Sequence, residues 1–399
     1  MSARVDGRER GFGAVAAGLP VDALGGQGYD LGRGDLPLPL LVLRESALAH
    51  NLRTMHDWCA KRGLSIAPHG KTTMAPQLIR RQLDAGAWGM TAATVQQVAV
   101  MRAAGARRVI LANEVVGHAE IAWLERERAA GVEVFVLVDS VEAVRLLDEG
   151  LAAAPLPVLI ELGGTRAGCR TDDQALAVAG AVAAAPRLVL AGVEGFEGTL
   201  GADREPATVA AVDAFVDRIR SLIGTLDARG AFAGVPEILA TAGGSALFDR
   251  VAERLRFPAP LSRPVRVILR SGCYLTHDDG LYARVSPLPL RPALELWARV
   301  LSCPEPGLAI AGFGKRDAPY DLDLPVVREV RRDGATAAGL VVTSLNDQHA
   351  FIRDEHAEMR VGDVLVCGIS HPCTAFDKWS LIPVLDDDDV VVDAIRTLF

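Results

Sequence analysis

The sequence predicts an α/β protein: a (β/α)8 barrel of the TIM type followed by an antiparallel β domain. Three observations lead there. Apolar runs of strand length occur eight times between residues 65 and 270, Ala-, Leu- and Arg-rich stretches of helical period separate most of them, and the texture changes beyond Tyr282. Alternation of this kind calls for a parallel sheet with right-handed crossovers, and eight units suit a closed barrel. An open doubly wound sheet is the competing arrangement of the same units.

Taken in order, residues 1–34 are glycine-rich with weak periodicity and read as a loose N-terminal extension. The run 38–43 is surplus to the eight and leads towards a helix at 47–62. The eight barrel runs are 65–69, 88–92, 108–112, 133–138, 158–162, 189–194, 237–241 and 265–270. Helical period follows at 95–104, 119–130, 141–153 and 213–229. These units place the barrel at 35–284. From 285 to 399, Pro287, Pro289, Pro292, Pro304 and Pro306 punctuate short alternating runs at 294–300, 326–331, 340–344, 364–369 and 390–395. Short runs bounded by Pro, Gly and Asp read as antiparallel strands. The acidic run 386–389 reads as a solvated turn.

Composition narrows the function. The 399 residues suffice for one large barrel plus a smaller domain. A net charge of −8 argues against a nucleic-acid surface. No apolar run is long enough to span a bilayer, and the N-terminus lacks a signal-peptide core, so no membrane association and a cytoplasmic address are expected. Six scattered cysteines suit reduced thiols. Small-molecule chemistry is the remaining expectation.

The residues that carry chemistry fall at the ends of the predicted strands. Lys71, in Pro68-His69-Gly70-Lys71-Thr72-Thr73, follows the first barrel run; there the strand fixes its stem and its amine is free for covalent work. His69, two residues earlier, would share its face in extended chain. Thr241-Ala242-Gly243-Gly244-Ser245 follows the seventh run and precedes a helical stretch at 246–255. Gly243 and Gly244 allow close backbone approach to a phosphate, and Ser245 is placed to cap the helix. Gly272 and Tyr274, after the eighth run, add a second clamp. His371 and Cys373 offer imidazole and thiolate one residue apart, a pair suited to zinc. His349, in Asn346-Asp347-Gln348-His349, is an acid/base candidate, although a plain β-turn explains the same residues.

Several of these segments, from Asp35-Leu36-Pro37 through Arg166-x-Gly168 and Arg270-Ser271-Gly272-Cys273-Tyr274 to 368–379, resemble the D-serine dehydratase / D-threonine aldolase family. That family consists of pyridoxal-phosphate enzymes related to the alanine racemase barrel. The resemblance implies pyridoxal 5'-phosphate held on Lys71 as a Schiff base, with Arg166 at the cofactor's phenolic oxygen or ring. It also implies a divalent metal, zinc by ligand type, an amino-acid substrate of D configuration, a homodimer, and a run 38–43 that pairs into the β domain or leads to the helix at 47–62. A tyrosine expected at Phe196 from some relatives is missing. The leading expectation is a dehydratase of a β-hydroxy-D-amino acid such as D-serine or D-threonine, giving a keto acid and ammonia. An aldolase giving glycine and an aldehyde is the alternative; related aldolases resemble His-x-Asp at the metal pair, so Cys373 favours dehydration. A pyridoxal-phosphate-binding protein without turnover is the third reading.

Overall fold

The computed structural model describes residues 3–153, 155–332 and 335–399. Its first strand, β1 (Leu40–Arg44), belongs to the second of two sheets. The first sheet holds β2 (Ser65–Ile66), β3 (Met90–Ala92), β4 (Arg108–Glu114), β5 (Glu133–Val138), β6 (Leu156–Leu162), β7 (Leu188–Gly195), β8 (Ile238–Ala242) and β9 (Val265–Leu269). These are the eight expected runs, shifted by a few residues at their ends. All pair in parallel in the order β2-β9-β8-β7-β6-β5-β4-β3. The ring is completed beside the lysine segment: a parallel bridge joins His69 to Thr91. The Thr91 N–H donates to the Pro68 carbonyl at 2.9 Å, and the Trp88 N–H donates to that of Ile66 at 2.9 Å.

Strand composition explains the burial. β6 and β8 are almost continuously apolar and sit between the barrel interior and the outer helices, as parallel strands with two covered faces must. The helices start where capping residues occur. Thr94 accepts from Gln97 N–H ahead of Val95–Ala103, Ser140 accepts from Ala143 N–H ahead of Val141–Gly150, and Thr171 forms a capping box with Gln174 ahead of Asp172–Ala184. Each such cap contributes about 1 kcal/mol. With every unit wound the same way, all eight strands end at one mouth.

The second sheet contains β1 with β10 (Leu294–Glu305), β11 (Leu308–Ala311), β12 (Val326–Val330), β13 (Leu340–Leu345), β14 (Ala350–Asp354), β15 (Val364–Gly368), β16 (Leu381–Leu385) and β17 (Val391–Arg396). Its main path runs β13-β14-β11-β10-β1-β16-β17, with β15 joining β10 to β12. Every pair is antiparallel except β1 with β16. β10 pairs with β1 and β15 through its first half and with β11 through its bulged second half. The surplus run 38–43 therefore does both things open to it: it pairs into this sheet and leads directly into the helix Glu45–Ala60.

Two expectations are corrected. Residues 3–34 are not loose: Phe12 and Leu24 are fully buried, the Val5 N–H donates to Leu19 O at 2.9 Å, and the Val391 N–H donates to Tyr29 O at 2.9 Å. The acidic run is only partly solvated, because Asp389 is buried and its carboxylate receives Arg44 at 2.7 Å and Arg331 at 3.1 Å.

Candidate active site

A pocket of about 360 Å³ opens at the C-terminal ends of the barrel strands, where the segment 371–373 of the β domain reaches over it. It lies within the size range of small-molecule sites. Among the expected site residues, His69, Lys71, Arg166, Gly243, Gly244, Ser245, Gly272, His371 and Cys373 all line it. A wider crevice of about 590 Å³ lies at the opposite end of the barrel, lined largely by arginine, proline and aliphatic side chains.

Lys71 sits in a single 3₁₀ turn, Gly70–Thr72, not in extended chain. That turn still presents both His69 and Lys71 to the pocket. Burial, followed by the positive charges of Lys71 and Arg270, holds His69 well below the ordinary imidazole range, so the ring is neutral at pH 7. Its Nδ1 is buried without a partner. Gly272 has to be glycine: a Cβ there would lie 2.4 Å from the His69 carbonyl oxygen.

The glycine loop is more occupied than its sequence suggests. Gly243 adopts φ +99°, which suits glycine alone, and the N–H groups of Gly243 and Gly244 donate to the buried carboxylate of Glu197 at 3.0 and 2.5 Å. Those two amides are therefore already satisfied. The helix that follows begins at Phe248 with Leu247 as its N-cap, so Ser245 does not cap it. The Ser245 hydroxyl instead accepts from the Cys273 N–H at 3.3 Å. Ser245 and Gly272 line this part of the pocket.

Across the floor, Arg270 donates to Glu194 and to the Gly195 carbonyl oxygen (3.0 Å). Arg166 stacks over the Phe196 ring at 5.2 Å and lies 3.6 Å from Glu161. Burial and the neighbouring Glu194 and Glu114 carboxylates push Glu161 up to about 9, and burial also raises Glu194. Glu194 lines the pocket and belongs to a buried carboxyl cluster behind it, in which Glu161 stays protonated at neutral pH.

The opposite wall carries sulfur. Cys373 Sγ lies 3.5 Å from Cys273 Sγ, and the Thr72 hydroxyl is 3.4 Å from the first and 3.6 Å from the second. The hydrogen bond from Cys373, reinforced by the hydroxyls of Tyr282, Thr72 and Ser245, brings the Cys273 thiol down to about 6 against its burial. The same bond raises Cys373, so the pair holds one thiolate and one thiol near pH 7. His371 adopts φ +61°; its N–H donates to Asp278 at 2.9 Å and its Nδ1 is 2.5 Å from Asp321 Oδ2. Asp321 Oδ1 also accepts from Thr374 Oγ1 at 3.0 Å. Nε2 is left as the free ring nitrogen.

Three expected residues lie elsewhere. Thr241 is buried with its hydroxyl donating to Ile268 O at 2.8 Å, tied to the neighbouring strand. Tyr274 is buried and its hydroxyl accepts from Gln82 at 3.3 Å. His349 is exposed in the β13–β14 turn, where its carbonyl accepts from Asn346 N–H at 2.8 Å. Conversely, Cys273, Tyr282, Glu194 and Arg270 line the pocket without having been singled out. Strand alternation gave no signal for Cys273, because the chain turns at 273–276.

Residues 43–278 match the family model "Alanine racemase, N-terminal domain", and residues 293–385 match "Putative serine dehydratase domain". The chain belongs to the alanine-racemase-like family. It is 27% identical to a D-threonine aldolase of Arthrobacter sp. over 381 residues, covering 94% of this chain and 95% of that one. A crystal structure of D-threonine aldolase from Filomicrobium marinum superposes with a TM-score of 0.78 at 26% identity, covering 93% and 96%. A D-threo-3-hydroxyaspartate dehydratase, solved as a cysteine-to-alanine variant in the metal-free form, has the same fold (TM-score 0.74, 21% identity, 93% and 99% covered). The barrel and β domain are thus the architecture of this family. Among the described residues no helix is long and apolar enough to cross a membrane.

The pocket fits the cofactor that this family implies. It offers one lysine amine, a hydroxyl and glycine-loop backbone at one wall, and two buried polar atoms without protein partners, His69 Nδ1 and Glu194 Oε1. Buried polar groups of that kind call for a partner. Among the described residues no cluster of three or more His, Cys, Asp or Glu side chains is poised to hold a metal ion. His371 and Cys373 are two side chains of types that zinc takes, and both line the pocket.

Proposed function

We propose that this chain is a pyridoxal-phosphate- and metal-dependent lyase of β-hydroxy-D-amino acids, and that it dehydrates its substrate to a keto acid and ammonia. The observation that carries the reading is the convergence of Lys71 with His371 and Cys373 on one pocket, the amine from the barrel and the ligand pair from the β domain. Lys71 would hold the cofactor, with Ser245 and the Gly272 loop at its phosphate and Arg166 beside its ring; when bound, pyridoxal phosphate supplies an electron sink for the bonds at Cα. The Lys71 amine would serve as the base for the Cα proton. His69, held neutral by burial, is positioned to hydrogen-bond without competing for that proton. His371 Nε2 and Cys373, which would lose its proton on binding, would hold a divalent ion, zinc by ligand type, whose Lewis acidity would make the β-hydroxyl a better leaving group. Glu161, protonated beside Arg166, lowers the negative charge behind the pocket.

The second reading, aldol cleavage, is favoured by the full-length match to D-threonine aldolases. There the β-hydroxyl proton leaves and the Cα–Cβ bond breaks, with the same residues in place. Dehydration is preferred because of Cys373, at a position where related aldolases resemble His-x-Asp; a dehydratase of this fold has been solved as a cysteine-to-alanine variant in the metal-free form. Incubating the purified protein with a panel of D-β-hydroxy-amino acids separates the two. Ammonia with keto acid supports dehydration; glycine with aldehyde replaces it by the aldolase; neither product overturns the lyase assignment. The family resemblance also leads us to propose a homodimer, which light scattering on the eluting protein tests.

A further inference from the structure

Cys273 and Cys373 lie 100 residues apart in sequence and come from different domains, one just past β9 and the other in the turn Pro372–Thr374. Their sulfurs are in contact at 3.5 Å, and both side chains face the pocket, where a small solute can reach them. The other four cysteines are also free, but no other pair of sulfurs among the described residues makes such a contact. A disulfide needs S–S of about 2.05 Å, so the sulfurs must close by about 1.5 Å, a movement within reach of a side-chain rotation. The pocket-lining sulfurs thus form a dithiol poised across the domain boundary.

We propose that Cys273 and Cys373 are an oxidative modification site: a hydroperoxide converts them to a reversible disulfide that withdraws Cys373 from metal binding. The chemistry balances in two steps. One of the two sulfurs, as its thiolate, attacks one oxygen of the hydroperoxide, forming S–O as O–O breaks, and the leaving hydroxide or alkoxide takes a proton. The other sulfur then attacks the sulfenic sulfur, forming S–S as S–O breaks, and water leaves with the remaining proton. Two electrons pass from the thiol pair to the peroxide. A thiol reductant restores both thiols by exchange. The linkage rests on the sulfur geometry; its consequence for turnover rests on the ligand role proposed for Cys373.

The test uses purified holoprotein, with its cofactor and metal, exposed to hydrogen peroxide and then alkylated and digested without reduction. The expected results are the loss of two of the six titratable thiols, a single linked peptide pair containing Cys273 and Cys373, and recovery of both thiols with dithiothreitol. Metal should be released to a chromogenic chelator in step with the linkage, and protein stripped of metal beforehand should oxidise faster. Cys273→Ser should abolish the linked pair. Cys303→Ser, an exposed cysteine outside the pocket, should leave the linkage intact. Sulfinic acid at either residue of the wild-type protein with no linked pair, or no thiol loss at all, overturns the modification site. A linked pair that forms while the metal stays bound overturns the withdrawal, whatever the enzyme's activity.

Discussion

Replacing Asp321 tests how the β domain aims its ligand pair. The carboxylate meets His371 Nδ1 at 2.5 Å and is itself held by Thr374 at 3.0 Å, so it fixes both the tautomer and the tilt of the ring. Carboxylates that orient a metal-ligating histidine typically contribute about 10- to 100-fold in metal affinity, or about 1.4–2.8 kcal/mol. Here the Asp321 and His371 side chains are 40% and 24% exposed, so the charge itself contributes little and the gain comes from orientation. The expected effect of Asp321→Ala therefore lies near the lower end, about a tenfold weaker ion. Asp321→Asn, which can still accept the Nδ1 proton, should recover most of it. Competition with a chromogenic chelator measures the affinity without reference to turnover, and an unaltered melting temperature shows that the exposed loop has kept its fold. Unchanged affinity in Asp321→Ala would refute the reasoning, because His371 would then need no such support to bind metal.

Three further outcomes follow from the same structure. Glu161 is raised from 4.5 to about 9 in the fold, so between those values the folded state holds a proton the unfolded chain has lost, and this group makes stability fall as pH rises. Glu161→Gln should therefore gain melting temperature relative to wild type at pH 8.5 compared with pH 5.5; a difference independent of pH contradicts the buried-acid assignment. Gly272→Ala should destabilise by about 1–3 kcal/mol through its clash with the His69 carbonyl and weaken cofactor retention, both absent if the loop can shift freely. Phe12→Ala should cost about 3–5 kcal/mol in chemical denaturation, whereas a loose terminal segment would cost less than about 0.5.

The barrel was legible because its signal is local. Each parallel strand is a short apolar run, and the helices between them carry their own period and caps. The second sheet was legible only in part. Leu308–Ala311 is four residues long, Leu381–Leu385 is interrupted by Pro383, and Ala350–Asp354 carries a charged Arg353, so β11, β16 and β14 escape a pattern search. The N-terminal segment escaped for another reason: the groups that cover it, such as the Val391 amide that reaches Tyr29, lie more than 350 residues downstream. In the site, position after a strand was enough to bring Lys71, Ser245 and Gly272 to the pocket. It misplaced Thr241 and Tyr274, whose side chains point to neighbouring elements, and it gave no sign that Glu197 would occupy two of the glycine-loop amides. Asp321 was invisible because it acts through His371 and lies 50 residues away in an irregular loop.

Borohydride reduction combined with chelation is the most direct measurement of the central claim that one pocket joins a cofactor-bearing lysine to a metal-binding His-Cys pair. The cofactor should be trapped on Lys71, as read from the modified peptide, in both metal-loaded and chelated protein. Ammonia release from a D-β-hydroxy-amino acid should disappear on chelation and return with zinc. Trapping on another lysine, or full ammonia release from metal-free protein, would contradict the account.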